Sequence, residues 1–132
     1  MTDDIYTVET TFPVRYAETD AMGIVHHASY LVYCEEARTT YTKAKGRTYA
    51  DMEQDGYHLA VTSVNLKYRR AMRYGQTVRV ICWITNLKSR ILTFNYELRD
   101  ADTDELCVTG ETEHICLTHA GRPARFPASW LL

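Results

Sequence analysis

Asp20, Gly23, His26, His27 and Tyr30 crowd into one short stretch, and they are the residues best placed to do chemistry. Asp20 stands in a glycine-containing loop between a strand-like segment and a strongly patterned helix. The first turn of a helix leaves backbone N–H groups without partners, and the helix dipole favours negative charge there. A carboxylate beside those donors is a base or a nucleophile, and the donors can hold an oxygen that becomes negative. Together they can hydrolyse an activated acyl group. Asp20 could attack the carbonyl itself or activate a water, and the residues leave both routes open. It could equally be a turn former or helix cap, since aspartate favours both positions.

Gly23 reads as a left-handed turn residue that also gives an acyl group room to approach the backbone. The imidazole of His27 is a poor cation at a helix N-terminus, where the dipole opposes its charge. His26 and His27 are adjacent and do not converge on one ion. No Cys, Asp or Glu completes a ligand spacing, so no metal is expected. Tyr30, Tyr33 and Tyr41 sit at helical spacing and suit an amphipathic core. The chain has ten tyrosines against three phenylalanines, which could line a pocket with hydroxyls or serve packing alone.

The elements around these residues follow from periodicity. Residues 5–18 are rich in β-branched types and predict a strand, with Pro13 marking an edge or bulge near its end. Tyr30, Cys34, Ala37 and Tyr41 predict a helix over 28–45. Ser29 or a residue just before it is its candidate cap, Glu35 and Glu36 match the early dipole, Lys43 and Lys45 the late one, and Gly46 is a natural C′ residue. A short helical turn spans Tyr49 to Gln54 and ends at Gly56. From His58 the period changes to two, giving a strand through Tyr68 and three more at 77–87, 91–100 and 105–118. Turns at 86–90 and 100–104 make them hairpins. One early helix and four late strands predict an α+β fold with an antiparallel sheet wrapped around the helix. A single helix cannot cover such a sheet, so self-association as a two-fold homo-oligomer is expected.

Asp20 through Leu31 reads D-x-x-G-I-V-x-H-x-x-Y-L, and a Glu-rich, Arg-ended helix follows. This resembles the signature of the 4-hydroxybenzoyl-CoA thioesterase family of hotdog-fold acyl-CoA thioesterases. The run from Tyr68 through Tyr74 and Gly75 to Val80, the segment Gly110–His114 and the ending Gly121–Pro127 also fit that pattern. The resemblance extends from about Thr11 to Pro127. Gln76 departs from it, standing where the family often has Asp. The resemblance implies one hotdog domain over 1–132, an acyl-CoA substrate and no separate cofactor, because coenzyme A is part of the substrate. It implies Asp20 as the catalytic carboxylate, Gly23 as the turn, and the backbone N–H of His27 as the donor to the thioester oxygen. Tyr30 and Ser63 would contact substrate. Basic turns that grip the nucleotide phosphates would be Lys88, Ser89 and Arg90 with Arg122 and Arg125; Arg69, Arg70 and Arg73 form a second basic cluster. The family's sites are built from two subunits, in homodimers or homotetramers.

Composition narrows the alternatives. A chain of 132 residues, 45% apolar with net charge −2, is an ordinary globular domain without the basic surface of a nucleic-acid binder. No apolar run is long enough to span a membrane, and the acidic start lacks the features of a secretory signal. Cys34, Cys82, Cys107 and Cys116 make no close pair and read as buried free thiols in a reducing cytoplasm. Competing readings are a thioesterase acting on acyl carrier protein and a non-catalytic acyl-thioester-binding hotdog protein. Asp20 argues against the last, since a sensor needs no carboxylate beside the thioester.

Overall fold

The computed structural model describes residues 5–130 and 132. The acidic start, residues 1–4, lies outside the described residues, as does residue 131. In chain order the elements are β1 (Val8–Pro13), a 3-10 turn (Tyr16–Glu18), α1 (Ser29–Ala44), α2 (Tyr49–Gln54), β2 (Tyr57–Tyr68), β3 (Thr77–Thr85), β4 (Ile91–Asp100) and β5 (Leu106–Thr118). The strands form one five-stranded antiparallel sheet in the order β1-β3-β4-β5-β2. Both hairpin turns use left-handed residues, Asn86 and Asp104, whose short polar side chains tolerate that conformation.

Helix α1 forms where the stripe predicted it, with Tyr30, Tyr33, Cys34, Ala37 and Tyr41 all buried. It packs against β1 and β3, and the inner face of the sheet fills in beneath it with Val78, Val80, Cys82, Leu92, Phe94, Tyr96 and Leu98. Each large side chain so buried contributes roughly 1.5–3 kcal/mol. The helix ends as Gly46 implied: Arg47 N–H donates to Thr42 O at 2.9 Å and Gly46 N–H to Lys43 O at 3.0 Å, with Gly46 at φ +90°. All four cysteines are free and buried.

Three local expectations need correction. The first strand covers only 8–13, not 5–18: after a last cross-strand bond from Val14 N–H to Gln76 O at 2.9 Å, Arg15 and Glu18 cap a 3-10 turn that takes the chain off the sheet. The N-cap of α1 is Ala28, which has no side chain to cap with; Ser29 is the first helical residue, and its hydroxyl turns back to Glu18 O at 3.3 Å. No acidic residue lies in the first turn, since Glu35 and Glu36 fall beyond it once the helix starts at Ser29.

Helix α1 leaves part of the sheet open. Strand β2 is an edge, and Val61, Val64 and Tyr68 are 48%, 47% and 52% exposed on it. Leu31 and Val32, on the neighbouring face of α1, are exposed as well. An extra residue, Thr62, sits in β2 between partners His114 and Glu113 of β5 and bulges this edge.

Candidate active site

The Asp20 loop is a small hairpin strapped to the end of β2. Thr19 bridges Val25 and Ile24 bridges Arg73, while Val25 N–H donates to Met72 O at 2.8 Å. The turn itself closes through Asp20 N–H to Ile24 O at 2.8 Å and Gly23 N–H to Asp20 O at 3.0 Å. Gly23 has φ +80°, and a Cβ there would meet nothing within 4 Å. The glycine is thus required by the backbone angle, and the space beside it is open.

Asp20 is half-buried, and its Oδ1 accepts from Met22 N–H at 2.8 Å. The turn-forming role of aspartate is therefore real here. Its Oδ2 has no hydrogen-bond partner among the described residues. The backbone N–H of His27 is also without one, although its neighbours are engaged: His26 N–H donates to Glu18 O at 2.8 Å, Ala28 N–H to His26 Nδ1 at 3.2 Å and Ser29 N–H to His26 O at 2.8 Å. The His26 ring thus does the capping that Ala28 cannot.

Asp20 and His27 border one cavity of about 270 Å³. Ile24, Val25, Tyr30 and Tyr68 form its apolar walls, and Arg69 and Arg70 stand at its rim. Tyr30 is buried with its hydroxyl accepting from Met72 N–H at 3.1 Å; burial raises its pKa and keeps it neutral. It contributes a wall more than a free hydroxyl. The arrangement offers a carboxylate oxygen, an unengaged amide donor and cations at the entrance, which together suit an acyl group carried on an anionic group.

Glu18 and Tyr33 fasten the loop, and motif reading missed both. Burial opposes the charge on Glu18, but hydrogen bonds from Arg15 N–H, the Tyr33 hydroxyl at 2.7 Å and the Arg15 guanidinium hold its carboxyl below the usual range. The only sequence signal was the Arg15–Glu18 spacing that closes the 3-10 turn.

The remaining predicted residues lie elsewhere. Lys88, Ser89 and Arg90 form the β3–β4 turn, and the segment bearing Arg122 and Arg125 folds beside it, with Phe126 N–H donating to Ser89 O at 2.8 Å. The two basic groups are thus together, but at the far end of the sheet. Ile91 pairs with Ile115 and Ile115 with Ala60, eight residues along β2 from Tyr68, roughly 26 Å. Ser63 is exposed on the β2 edge and does not line the Asp20 cavity. Within one chain, Arg69 and Arg70 of the second basic cluster reach that cavity, and the Lys88–Arg90 turn does not. Gln76 serves the turn: its side chain accepts from Arg73 N–H at 2.6 Å and donates to Asp100.

A buried polar chain runs under the open half of the sheet. Arg38 Nη1 donates to the Tyr96 hydroxyl at 3.0 Å, which meets Thr112 Oγ1 at 2.6 Å, which meets His114 Nε2 at 2.7 Å. Arg38 donates at the head of this chain; the proton order between Tyr96, Thr112 and His114 follows the imidazole tautomer. His114 Nδ1 is buried without a partner. Burial, and secondarily Arg38, lower the His114 pKa to about 3.

Comparison with known proteins bears on the family and the fold. The profile of the thioesterase-like superfamily matches residues 14–131. YneP of Bacillus subtilis (strain 168), assigned as an acyl-CoA thioesterase, is 39% identical over 104 residues, 79% of this chain and 75% of that one. A DHNA-CoA thioesterase from Staphylococcus aureus superposes with a TM-score of 0.86 at 35% identity, over 90% of this chain and 80% of that one. The S. aureus protein SAV2348, solved in complex with CoA, has the same fold at 20% identity, with a TM-score of 0.87 over 96% of this chain and 80% of that one. With a matching profile over nearly its whole length and a sheet wrapped around one long helix, the chain belongs to the thioesterase-like superfamily and is a hotdog-fold thioester hydrolase.

Proposed function

We propose that the chain hydrolyses an acyl-CoA thioester in the cavity beside Asp20. The carrying observation is that Asp20, with one free carboxylate oxygen, and His27, with an unengaged N–H, border the same pocket. The thioester carbonyl points at the His27 N–H, which holds the oxygen as it becomes negative. Asp20 either attacks the carbonyl, giving a mixed anhydride that water cleaves, or takes a proton from the attacking water. In both routes the C–S bond breaks, the thiolate of CoA leaves and is protonated, and the acid is released. Arg69 and Arg70 steer the anionic substrate toward the mouth.

The working unit is a two-fold dimer joined through β2. That edge is long, apolar and unpaired, and α1 leaves the adjacent inner face uncovered. A two-fold axis perpendicular to the sheet pairs β2 antiparallel with its copy and brings the Tyr57 end of one strand toward the Tyr68 end of the other. The Lys88–Arg90 turn of one protomer then approaches the Asp20 cavity of its partner. This resolves the separation within the single chain and supports a phosphate grip supplied across the interface.

The test is Asp20→Asn, assayed on benzoyl-, phenylacetyl-, short- and long-chain acyl-CoAs. Turnover on the best substrate should fall at least ~10²-fold with little change in affinity. Near-normal turnover would remove Asp20 from the chemistry.

A further inference from the structure

A separate furrow of about 220 Å³ lies between α1 and β2, and its helix wall begins at Leu31, one residue on from the Tyr30 wall of the Asp20 cavity. Leu31, Val32 and the mostly exposed Glu35 line it on the helix side and Val61 and Val64 on the strand side. Its floor is not apolar: Arg38 and Thr112 close it. Arg38 is only 7% exposed, yet it has no buried counter-ion. Its nearest carboxylate, Glu35, is 3.9 Å away with a side chain 66% exposed, its other partners are the neutral hydroxyls of Tyr96 and Tyr49, and its Nε has no partner among the described residues. On the other side of Arg38 a second recess carries Tyr49, Glu53 and His58 toward solvent. A buried guanidinium in this state is costly unless something supplies its missing charge and acceptors. A carboxylate does both, and matches the guanidinium fork.

Resting on the thioesterase reading, we infer that Arg38 is a specificity-determining residue that binds a carboxylate at the far end of the acyl group, so that the substrate class is the mono-CoA thioesters of dicarboxylic acids. The spacing fits. Ser29 and Arg38 are nine residues apart on α1, about 13.5 Å of helix axis, and the arginine side chain leans back toward the N-terminus by about a turn. The gap left between the helix N-terminus and the guanidinium suits a chain of roughly six to eight carbons. The four apolar side chains would hold its methylenes, and pairing of β2 with a second protomer would roof the furrow into a tunnel.

The experiment compares octanoyl-CoA with its ω-carboxyl counterpart, suberyl-CoA, on the dimer, by kcat/KM. Wild type should prefer the ω-carboxyl substrate. In Arg38→Met the ratio of the two kcat/KM values should fall about 10–100-fold, the loss expected for one charge-assisted contact, and Arg38→Lys should restore part of it. A wild-type enzyme indifferent to the ω-carboxylate overturns the inference without any variant. So does an Arg38→Met that lowers both substrates equally, which would mark the arginine as structural. Turnover of octanoyl-CoA without the preference sinks Arg38 alone; absence of turnover on every acyl-CoA sinks the thioesterase reading. In that second case calorimetry of free octanedioate against octanoate still decides: tighter octanedioate binding that is lost in Arg38→Met supports the site, and equal binding overturns it.

Discussion

Lowering the pH from 7.5 to 5 should destabilise the fold through His114 alone. The residue is 1% exposed, its Nε2 is hydrogen-bonded to the Thr112 hydroxyl at 2.7 Å, and the Phe94 ring lies edge-on at 5.3 Å. Burial pushes its pKa down to about 3, from an ordinary value near 6.5. Above pH 6.5 neither folded nor unfolded chain holds the proton, and His114 contributes no pH dependence. As the pH falls below 6.5 the unfolded chain takes up a proton that the folded chain refuses, so stability drops by about 1.4 kcal/mol per pH unit until the folded pKa is reached. At pH 5 the loss is about 2 kcal/mol, and a domain of this size should melt about 4–8 °C lower. Urea unfolding at fixed protein concentration, at both pH values, measures it, with His114→Gln as the reference. The variant will be less stable at pH 7.5 because the buried imidazole and its packing against Phe94 are lost, but its further loss on acidification should be smaller by the same ~2 kcal/mol. An equal acid loss in wild type and His114→Gln would show that the buried ring titrates normally and that its burial does not depress its pKa.

Other perturbations separate the parts of the site. His27→Ala should keep much of the turnover, because the backbone donor survives; a collapse like that of Asp20→Asn, with the fold intact by circular dichroism, would assign the chemistry to the imidazole. Lys88→Ala combined with Arg90→Ala should raise KM for acyl-CoA with turnover nearly unchanged, and less so at high salt, since remote contacts act equally in ground and transition states. An equal loss on a short acyl thioester without the nucleotide would refute the phosphate grip. Analytical ultracentrifugation at micromolar concentration should give at least twice the 15.3 kDa of one chain, with activity falling on dilution. A fully active monomer would contradict the shared site.

The sequence was most legible where structure is local. The 4-3-4 stripe gave α1 to within a residue at each end, because the same side chains that set the period form the core. Asp20, His27 and Tyr30 come together around one cavity because a single hairpin and helix start hold them in place, and that proximity was readable from their closeness in sequence. The over-long first strand came from extending the β-branched run of 7–11 in both directions, into residues 5–7 and past Pro13 into the Tyr16–Glu18 turn. What could not be read was anything set by register between distant strands. Lys88 and Arg70 look alike in sequence, yet only Arg70 borders the cavity. Arg38 was passed over because an arginine on a helix is ordinarily solvated; its place four residues after Cys34, beside the buried stripe, was the available sign.

The two edges of the sheet differ in a way that bears on assembly size. Pairing through β2 would consume the long edge of each protomer and leave a ten-stranded sheet ending in β1 at both sides. Strand β1 has six residues, stops at Pro13 and turns outward Glu9, which is held by Arg79 at 3.1 Å. A short strand with a proline and a charge is a poor template for another chain. The bulge at Thr62 further restricts β2 to a pairing register that accommodates it. Such a molecule would associate through its sheet edges to two and stop: the edge that would drive association is used up by the first encounter, and the edges that remain would be chain terminators. Concentrated solutions should therefore resist the sheet-by-sheet growth that leads to fibrils, without any need for high net charge to keep copies apart.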